Sequence, residues 1–157
     1  MSFQTSALIV TWAALLLLAF VVAGLVRQVH ALSGGTRPVP AGSRPGDRAD
    51  LAPLGVSAPA VLLFLRSTCH TCTEAVAETV DAVGERLTVV ALYESSAAEV
   101  PPGVLARADQ GHLFAPYGAL ATPFAVLVGE DGRITAAAPV GSRAAVRQLL
   151  APAMEVR

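Results

Sequence analysis

Residues 60–87 decide the fold, with AVLLFL at 60–65, RSTCHTC at 66–72 and TEAVAETVDAVGERL at 73–87. The first run is continuously apolar and of strand length, which is typical of a strand covered on both faces. The last predicts a helix from Glu74 to Leu87, because Val76, Val80 and Val83 recur at helical spacing. Between them, Cys69-His70-Thr71-Cys72 would lie at a helix start, where unpaired N–H groups stabilise a thiolate. The pattern therefore predicts a redox-active thiol pair.

Other uses of a cysteine pair fit the sequence less well. A structural zinc site needs four ligands, but Cys69 and Cys72 are the only cysteines, and His30 and His112 lie far away in sequence. A c-type haem attachment needs a histidine directly after the second cysteine, where Thr73 stands. A disulfide across so short a loop would also be a poor structural staple. No metal site and no cofactor are predicted.

The composition argues against a nucleic-acid partner. The 157 residues carry a net charge of -1, so a basic surface for phosphates is not expected. Hydrophobic residues make up 54% of the chain and are concentrated in its first thirty or so residues. The remainder of the chain is long enough for one small domain with a single core.

The N-terminal 31 residues contain an uncharged run from Ala7 to Val26, long enough to cross a bilayer as one helix. No basic residue precedes the run, which favours a retained anchor over a cleaved signal peptide. The chain is therefore predicted to be a single-pass membrane protein. Four arginines follow the run, and by the positive-inside tendency they would keep the rest of the chain in the cytoplasm: Arg27, Arg37, Arg44 and Arg48.

Two further regions are predicted after the membrane helix. Residues 32–52 are rich in Gly, Pro, Ser and Arg and show no apolar periodicity, so we expect a flexible linker there. Residues 53–157 are expected to form an α/β domain, since strand-like and helix-like segments alternate along them.

The rest of that domain predicts a strand, a short helix, a hairpin and a last helix. The Asp131-Gly132 pair is a turn signal, and Ser142 can cap the final helix. Glu78 and Asp81 are expected on the solvent side of the first domain helix, and Glu74 in its first turn. The predicted segments are the strands Leu87 to Tyr93, Thr122 to Val128 and Ile134 to Val140, a helix near His112 to Tyr117, and a helix that buries Val146, Leu149 and Leu150.

This order of elements, with CHTC at a helix start and Thr122-Pro123 opening a hairpin, resembles the thioredoxin fold, a central mixed sheet flanked by helices. With the N-terminal membrane helix, it is similar to the TlpA and ResA group of membrane-tethered thiol/disulfide oxidoreductases. The segments TCHTC and YGALATPFAVLVGEDGRI also resemble MauD-type proteins, which act in methylamine dehydrogenase maturation. The resemblance implies an extracytoplasmic domain, against the Arg distribution.

The resemblance also implies roles for particular residues. Cys69 matches the exposed attacking cysteine and Cys72 the buried resolving one, while Pro123 matches the cis-proline beside the sulfurs. The backbone of Thr122 would pair with an extended substrate segment. Partners are then proteins with a disulfide or a dithiol, and a membrane protein that donates electrons. His70, when protonated, would stabilise the Cys69 thiolate, although it could equally face solvent.

Two positions depart from thioredoxins proper. Leu63 stands where they carry a buried Asp, and Thr68 replaces the Trp before the motif. These changes favour a dedicated partner over general reductase activity. Reduction and oxidation of clients both stay open, as do two other interpretations: a Cu(I)-binding module that uses the two thiolates, and a non-catalytic adaptor that holds a partner in the Thr122-Pro123 groove.

Overall fold

The computed structural model describes residues 12–24 and 44–155. The chain divides into two units, Met1–Pro38 and Val39–Arg157. In the first unit, residues 12–24 form helix α1, whose side chains are all exposed. The predicted span from Ala7 to Val26 extends beyond these residues at both ends. Within the described residues, no helix combines the length and the apolar character needed to cross a bilayer.

The second unit is a five-stranded mixed sheet with helices on both faces. The sheet order is β3-β2-β1-β4-β5; the first three strands run parallel to one another, and β4 and β5 are antiparallel additions. The elements in chain order are a 3₁₀ turn (Ala52–Leu54), β1 (Ala60–Leu65), α2 (His70–Val83), β2 (Thr88–Tyr93), β3 (Val104–Arg107), α3 (Gly111–Tyr117), β4 (Phe124–Val128), β5 (Ile134–Pro139) and α4 (Arg143–Glu155).

The central strand β1 is buried along its whole length, as its unbroken apolar run predicted. Because side chains alternate across a strand, β1 contributes to two hydrophobic clusters. Val61, Leu63 and Leu65 pack on the face covered by α2 and α4. On the other face, Leu62 and Phe64 pack against residues of α3 and the chain before β1.

The hairpin and the last helix form as their turn and cap signals predicted. Gly132 adopts φ 74°, a left-handed conformation that glycine reaches without the usual Cβ penalty, and the Gly129 N–H donates to the Arg133 carbonyl over 2.9 Å. Ser142 Oγ accepts a hydrogen bond from the Ala145 N–H, so it caps α4. The three apolar residues predicted for the buried face of α4 are all buried.

The first domain helix differs from its prediction at both ends. It begins at His70 and ends at Val83, so the CHTC motif forms its first turn and Leu87 lies outside it. Glu74 is therefore beyond the first turn, which contains no acidic residue. Strand β3 is absent from the prediction altogether, because its residues are only half buried and show no alternation.

The position of Glu78 also differs from its prediction. The helical pattern placed it on the solvent side, but its residue exposure is only 8%. Helix α4 packs beside α2 and brings Arg147 to it, whose Nε donates to the Glu78 carboxylate over 2.5 Å, while Arg143 lies 3.8 Å away. The carboxylate is thus buried by two arginines from a distant part of the sequence.

We expect Glu78→Ala to lower the free energy of unfolding by about 1–2 kcal/mol, since it removes a charge-assisted hydrogen bond whose arginine partners remain solvated. Urea denaturation followed by far-UV circular dichroism measures the change. Asp81→Asn, an exposed position on the same helix, serves as the control and should stay within about 0.5 kcal/mol. Equal effects of the two variants would contradict a stabilising role for the Glu78 pairs.

The chain immediately before the 3₁₀ turn packs on the domain, although residues 32–52 were predicted to be a flexible linker. The Gly46 N–H donates to the Ile134 carbonyl over 2.7 Å, and the Ala49 N–H donates to the Gly132 carbonyl over 3.0 Å. The Asp50 N–H donates to the Tyr117 hydroxyl over 3.0 Å. Residues 44–52 therefore belong to the folded unit, while residues 32–43 lie outside the described part of the chain.

Candidate active site

The CHTC motif begins helix α2 directly after the carboxyl end of β1. The Cys69 N–H donates to the Arg66 carbonyl over 3.2 Å, which closes the turn between strand and helix. Cys69 is the N-cap residue, with extended backbone angles (φ -100°, ψ 109°), and its sulfur accepts a hydrogen bond from the Cys72 N–H over 3.2 Å. A sulfur at this position faces the positive end of the helix dipole, which favours a thiolate once the pair is reduced.

The two sulfurs are joined in a disulfide, with the Cα atoms of Cys69 and Cys72 5.2 Å apart. Their exposure differs. Cys72 is 2% exposed and belongs to the core cluster under α2, whereas Cys69 is half buried and packs at the edge of that cluster. The Thr71 hydroxyl lies 3.2 Å from the Cys69 sulfur. Cys69 is thus the more exposed residue of the pair, and Cys72 is enclosed in the core.

Thr122 and Pro123 lie at the same end of the sheet as the disulfide. Phe64 of β1 is opposite Phe124 of β4 in antiparallel register, so the chain just before Phe124 reaches the carboxyl end of β1. The Thr122–Pro123 peptide bond is cis, and the Pro123 carbonyl accepts a hydrogen bond from the Val140 N–H over 2.9 Å. Among the described residues, no backbone hydrogen bond engages the Thr122 N–H or carbonyl.

His70 is strongly exposed at the start of α2. Its side chain is 89% exposed, and Nε2 lies 3.6 Å from the Glu74 carboxylate one helical turn later. A charge pair this solvated is strongly screened by water and salt. The one ion-pair contact of His70 within the described residues is with Glu74, and its predicted influence on the Cys69 thiolate stays a prediction.

We expect His70→Ala to change the rate at which reduced Cys69 is alkylated by iodoacetamide by no more than about fivefold, because exposed charges contribute up to about 1 kcal/mol. The change should shrink in 1 M salt, where the screening length is short. Glu74→Gln provides the matched control of opposite sign. A salt-insensitive loss of more than about tenfold would show instead that His70 acts on the sulfur directly.

A leucine stands where the resemblance to thioredoxins would place a buried Asp. Leu63 occupies that position, is fully buried and packs in the same cluster as Cys72. Tyr93, at the end of β2 and opposite Leu65 in the parallel register, is part of this cluster, and burial raises the pKa of its phenol. Tyr93 therefore stays neutral at physiological pH.

The sequence prediction missed an ion pair at this end of the sheet. Arg66 follows β1, Glu94 follows β2, and the Arg66 Nε donates to the Glu94 carboxylate over 2.6 Å. Ser67 and Ser96, one and two residues further along the two loops, have their hydroxyl oxygens 3.3 Å apart. The sequence signal that could have predicted this ion pair is the position of the two residues, because residues that follow neighbouring parallel strands meet at the same sheet edge. Among the described residues, no group of three or more His, Cys, Asp or Glu side chains could hold a metal ion.

The comparison with solved structures decides the fold. A Chlorobium tepidum protein assigned as the thiol:disulfide interchange protein DsbE aligns with a TM-score of 0.56 and 17% sequence identity, over 71% of this chain and 99% of that one. The fold is thioredoxin-like. The mixed sheet and the placement of CHTC at a helix start agree with the predicted thioredoxin-like domain.

A second thioredoxin-like match is weaker. It is a secreted Mycobacterium tuberculosis disulfide oxidoreductase homologous to Escherichia coli DsbE, with a TM-score of 0.43 and 19% identity over 59% of this chain and 80% of that one. No protein-family model and no curated protein sequence matches the chain.

Proposed function

We propose that this chain is a thiol/disulfide oxidoreductase that exchanges electrons with partner proteins. The observation that carries the proposal is the Cys69–Cys72 disulfide at the start of α2, in which Cys69 is half buried and Cys72 lies in the core. The thioredoxin-like fold supports it, because in this arrangement the helix N-terminus stabilises the thiolate that starts exchange. The predicted absence of a cofactor is consistent with this chemistry, since the two sulfurs carry the electrons themselves.

The reaction follows from the geometry of the pair. The Cys69 thiolate attacks one sulfur of a client disulfide, the client S–S bond breaks, and the released client thiolate takes up a proton. Cys72 then loses its proton and attacks Cys69, which breaks the mixed disulfide and releases the second client thiol. Two electrons pass from the chain to the client, while one of the two protons comes from Cys72 and the other from solvent. The same steps in reverse oxidise a client dithiol, and the difference between the two reduction potentials sets the direction.

Reversible exchange of the purified full-length chain with glutathione tests the proposal. We expect a single dithiol/disulfide transition across a series of glutathione redox buffers, read by alkylation and mass spectrometry. The same preparation should reduce the disulfides of insulin or oxidise the thiols of a reduced client. If the pair stays bridged across the whole series, or cycles with no effect on any protein disulfide, the assignment fails. Tight stoichiometric copper binding by the reduced chain without exchange would favour the Cu(I) interpretation.

We further propose the TlpA and ResA arrangement, with the run from Ala7 to Val26 as a membrane anchor and the redox domain outside the cytoplasm. The uncharged N-terminal run supports the anchor. An extracytoplasmic location suits a disulfide-exchange protein, because disulfides persist there. The client class that the MauD-like segments imply is an enzyme matured outside the cytoplasm. A membrane-impermeant thiol reagent applied to intact cells should label reduced Cys69; labelling only after lysis would place the domain in the cytoplasm.

A further inference from the structure

Leu120 is the one large hydrophobic side chain within residues 44–155 that is strongly exposed, at 71%. Its surroundings hold the backbone in place. The Leu120 N–H donates to the Gly118 carbonyl over 2.9 Å, and the Ala119 N–H donates to the Phe114 carbonyl over 2.8 Å. Tyr117, Gly118 and Ala119 just before it are all buried. Backbone hydrogen bonds therefore hold the chain around Leu120 on the domain, while the leucine side chain faces solvent.

The position of Leu120 is at the redox end of the sheet. It lies two residues before Thr122, and the register of β1 with β4 brings this part of the chain to the carboxyl end of β1, from which the turn to Cys69 departs. Thr122 carries the backbone N–H and carbonyl that no other described residue engages. The exposed leucine thus belongs to the loop on which a client segment would lie.

Several charged side chains lie near this end, and two pairs of them flank the CHTC turn. Arg66 bonds to Glu94, and His70 faces Glu74. The other exposed residues of the CHTC turn and of the chain between Leu120 and Pro123 are uncharged and small, namely Ser67, Thr68, Thr71 and Ala121. Next to Thr122, Leu120 is therefore the one exposed side chain that is both large and apolar.

We propose that Leu120 selects the client: it contacts an apolar side chain close in sequence to the client cysteine, in an extended segment that pairs with the Thr122 backbone. The inference rests on the proposed oxidoreductase function and names its substrate class. Backbone pairing holds any extended segment, so selectivity must come from side-chain contact. Apolar residues beside a cysteine are mostly buried in folded proteins, so the fitting client is a polypeptide that has not completed folding.

Two synthetic peptides test the proposal, each closed by one internal disulfide and matched in length, one with leucine and valine beside the cysteines and the other with serine and glycine. The reduced full-length chain is mixed with each, and kcat/KM for peptide reduction is measured. For the wild-type chain we expect a preference of about tenfold for the apolar peptide, from partial burial of Leu120 against it. Leu120→Ser should reduce this ratio to about one, mainly through KM, and Leu120→Met should restore it.

Three outcomes would count against the inference in distinguishable ways. Equal kcat/KM values of the wild-type chain for the two peptides would overturn the apolar selection. An unchanged preference for the apolar peptide in Leu120→Ser would overturn the role of this residue. Circular dichroism serves as the control that the variant is folded. If the wild-type chain reduces neither peptide nor a small aromatic disulfide, the oxidoreductase function itself fails, and the selection fails with it.

Discussion

Cys69→Ser should lower the rate of client disulfide reduction by on the order of a thousandfold or more. The attacking species is a thiolate, and the serine hydroxyl that replaces it is not ionised at neutral pH and cannot enter disulfide exchange. The structure makes this the critical sulfur, because Cys69 is the half-buried member of the pair at the helix N-terminus and Cys72 is 2% exposed. Insulin reduction with dithiothreitol as the electron source measures the rate.

Cys72→Ser separates the two roles. This variant keeps the attacking thiolate but lacks the sulfur that resolves the mixed disulfide, so a client should accumulate as a covalent adduct through Cys69. Non-reducing electrophoresis should show the adduct, which dithiothreitol should release. Thr71→Ser is the matched control, since it keeps a hydroxyl beside the Cys69 sulfur and both cysteines. If Cys69→Ser instead forms the adduct, the order of attack is reversed, and if both serine variants retain full turnover, the pair is not the site of chemistry.

Phe64→Ala should destabilise the second unit by about 3–5 kcal/mol, the usual cost of removing a large buried aromatic side chain and leaving a cavity. Phe64 is fully buried in the central strand. Its ring centroid lies 5.2 Å from that of Phe114 in an edge-to-face arrangement, 5.3 Å from that of Tyr117 and 6.4 Å from that of Phe124. Because the ring joins β1, α3 and β4, its loss weakens the contacts between three elements.

Urea denaturation monitored by circular dichroism measures this change. Leu120→Ala is the control, because that side chain is exposed and its removal should change the free energy of unfolding by less than about 0.5 kcal/mol. A loss at Phe64 no larger than that at Leu120 would mean that the aromatic cluster on this face contributes little to stability.

The elements that the sequence predicted well carry strong local signals. The unbroken apolar run of β1, the helical valine spacing after the motif and the Asp131-Gly132 turn each specify their structure over a few neighbouring residues. Strand β3 has no such signal. Its four residues are half buried at the sheet edge, and they are a strand because they pair with β2.

The residues of the candidate site also differ in how far the sequence predicts them. The spacing of Cys69 and Cys72 and the proline at 123 are visible in the sequence, and the structure places all three at one end of the sheet. Burial of Glu78 depends on Arg147, which is 69 positions away, so the helical pattern of α2 alone suggested the wrong face. The exposure of Leu120 has no sequence signal either, since a leucine in a mixed segment is expected to be buried.

The attachment of residues 44–52 to the hairpin has a mechanical consequence. Gly46 and Ala49 bond to Ile134 and Gly132, at the end of the sheet where β1 begins, whereas the disulfide lies beyond the end at which β1 finishes. A pulling force transmitted through the chain ahead of Arg44 would load these few hydrogen bonds first. The hydrogen bonds between β1 and β4, near Cys69, would carry little force until the bonds to the hairpin break. The two cysteines would therefore keep their geometry under tension.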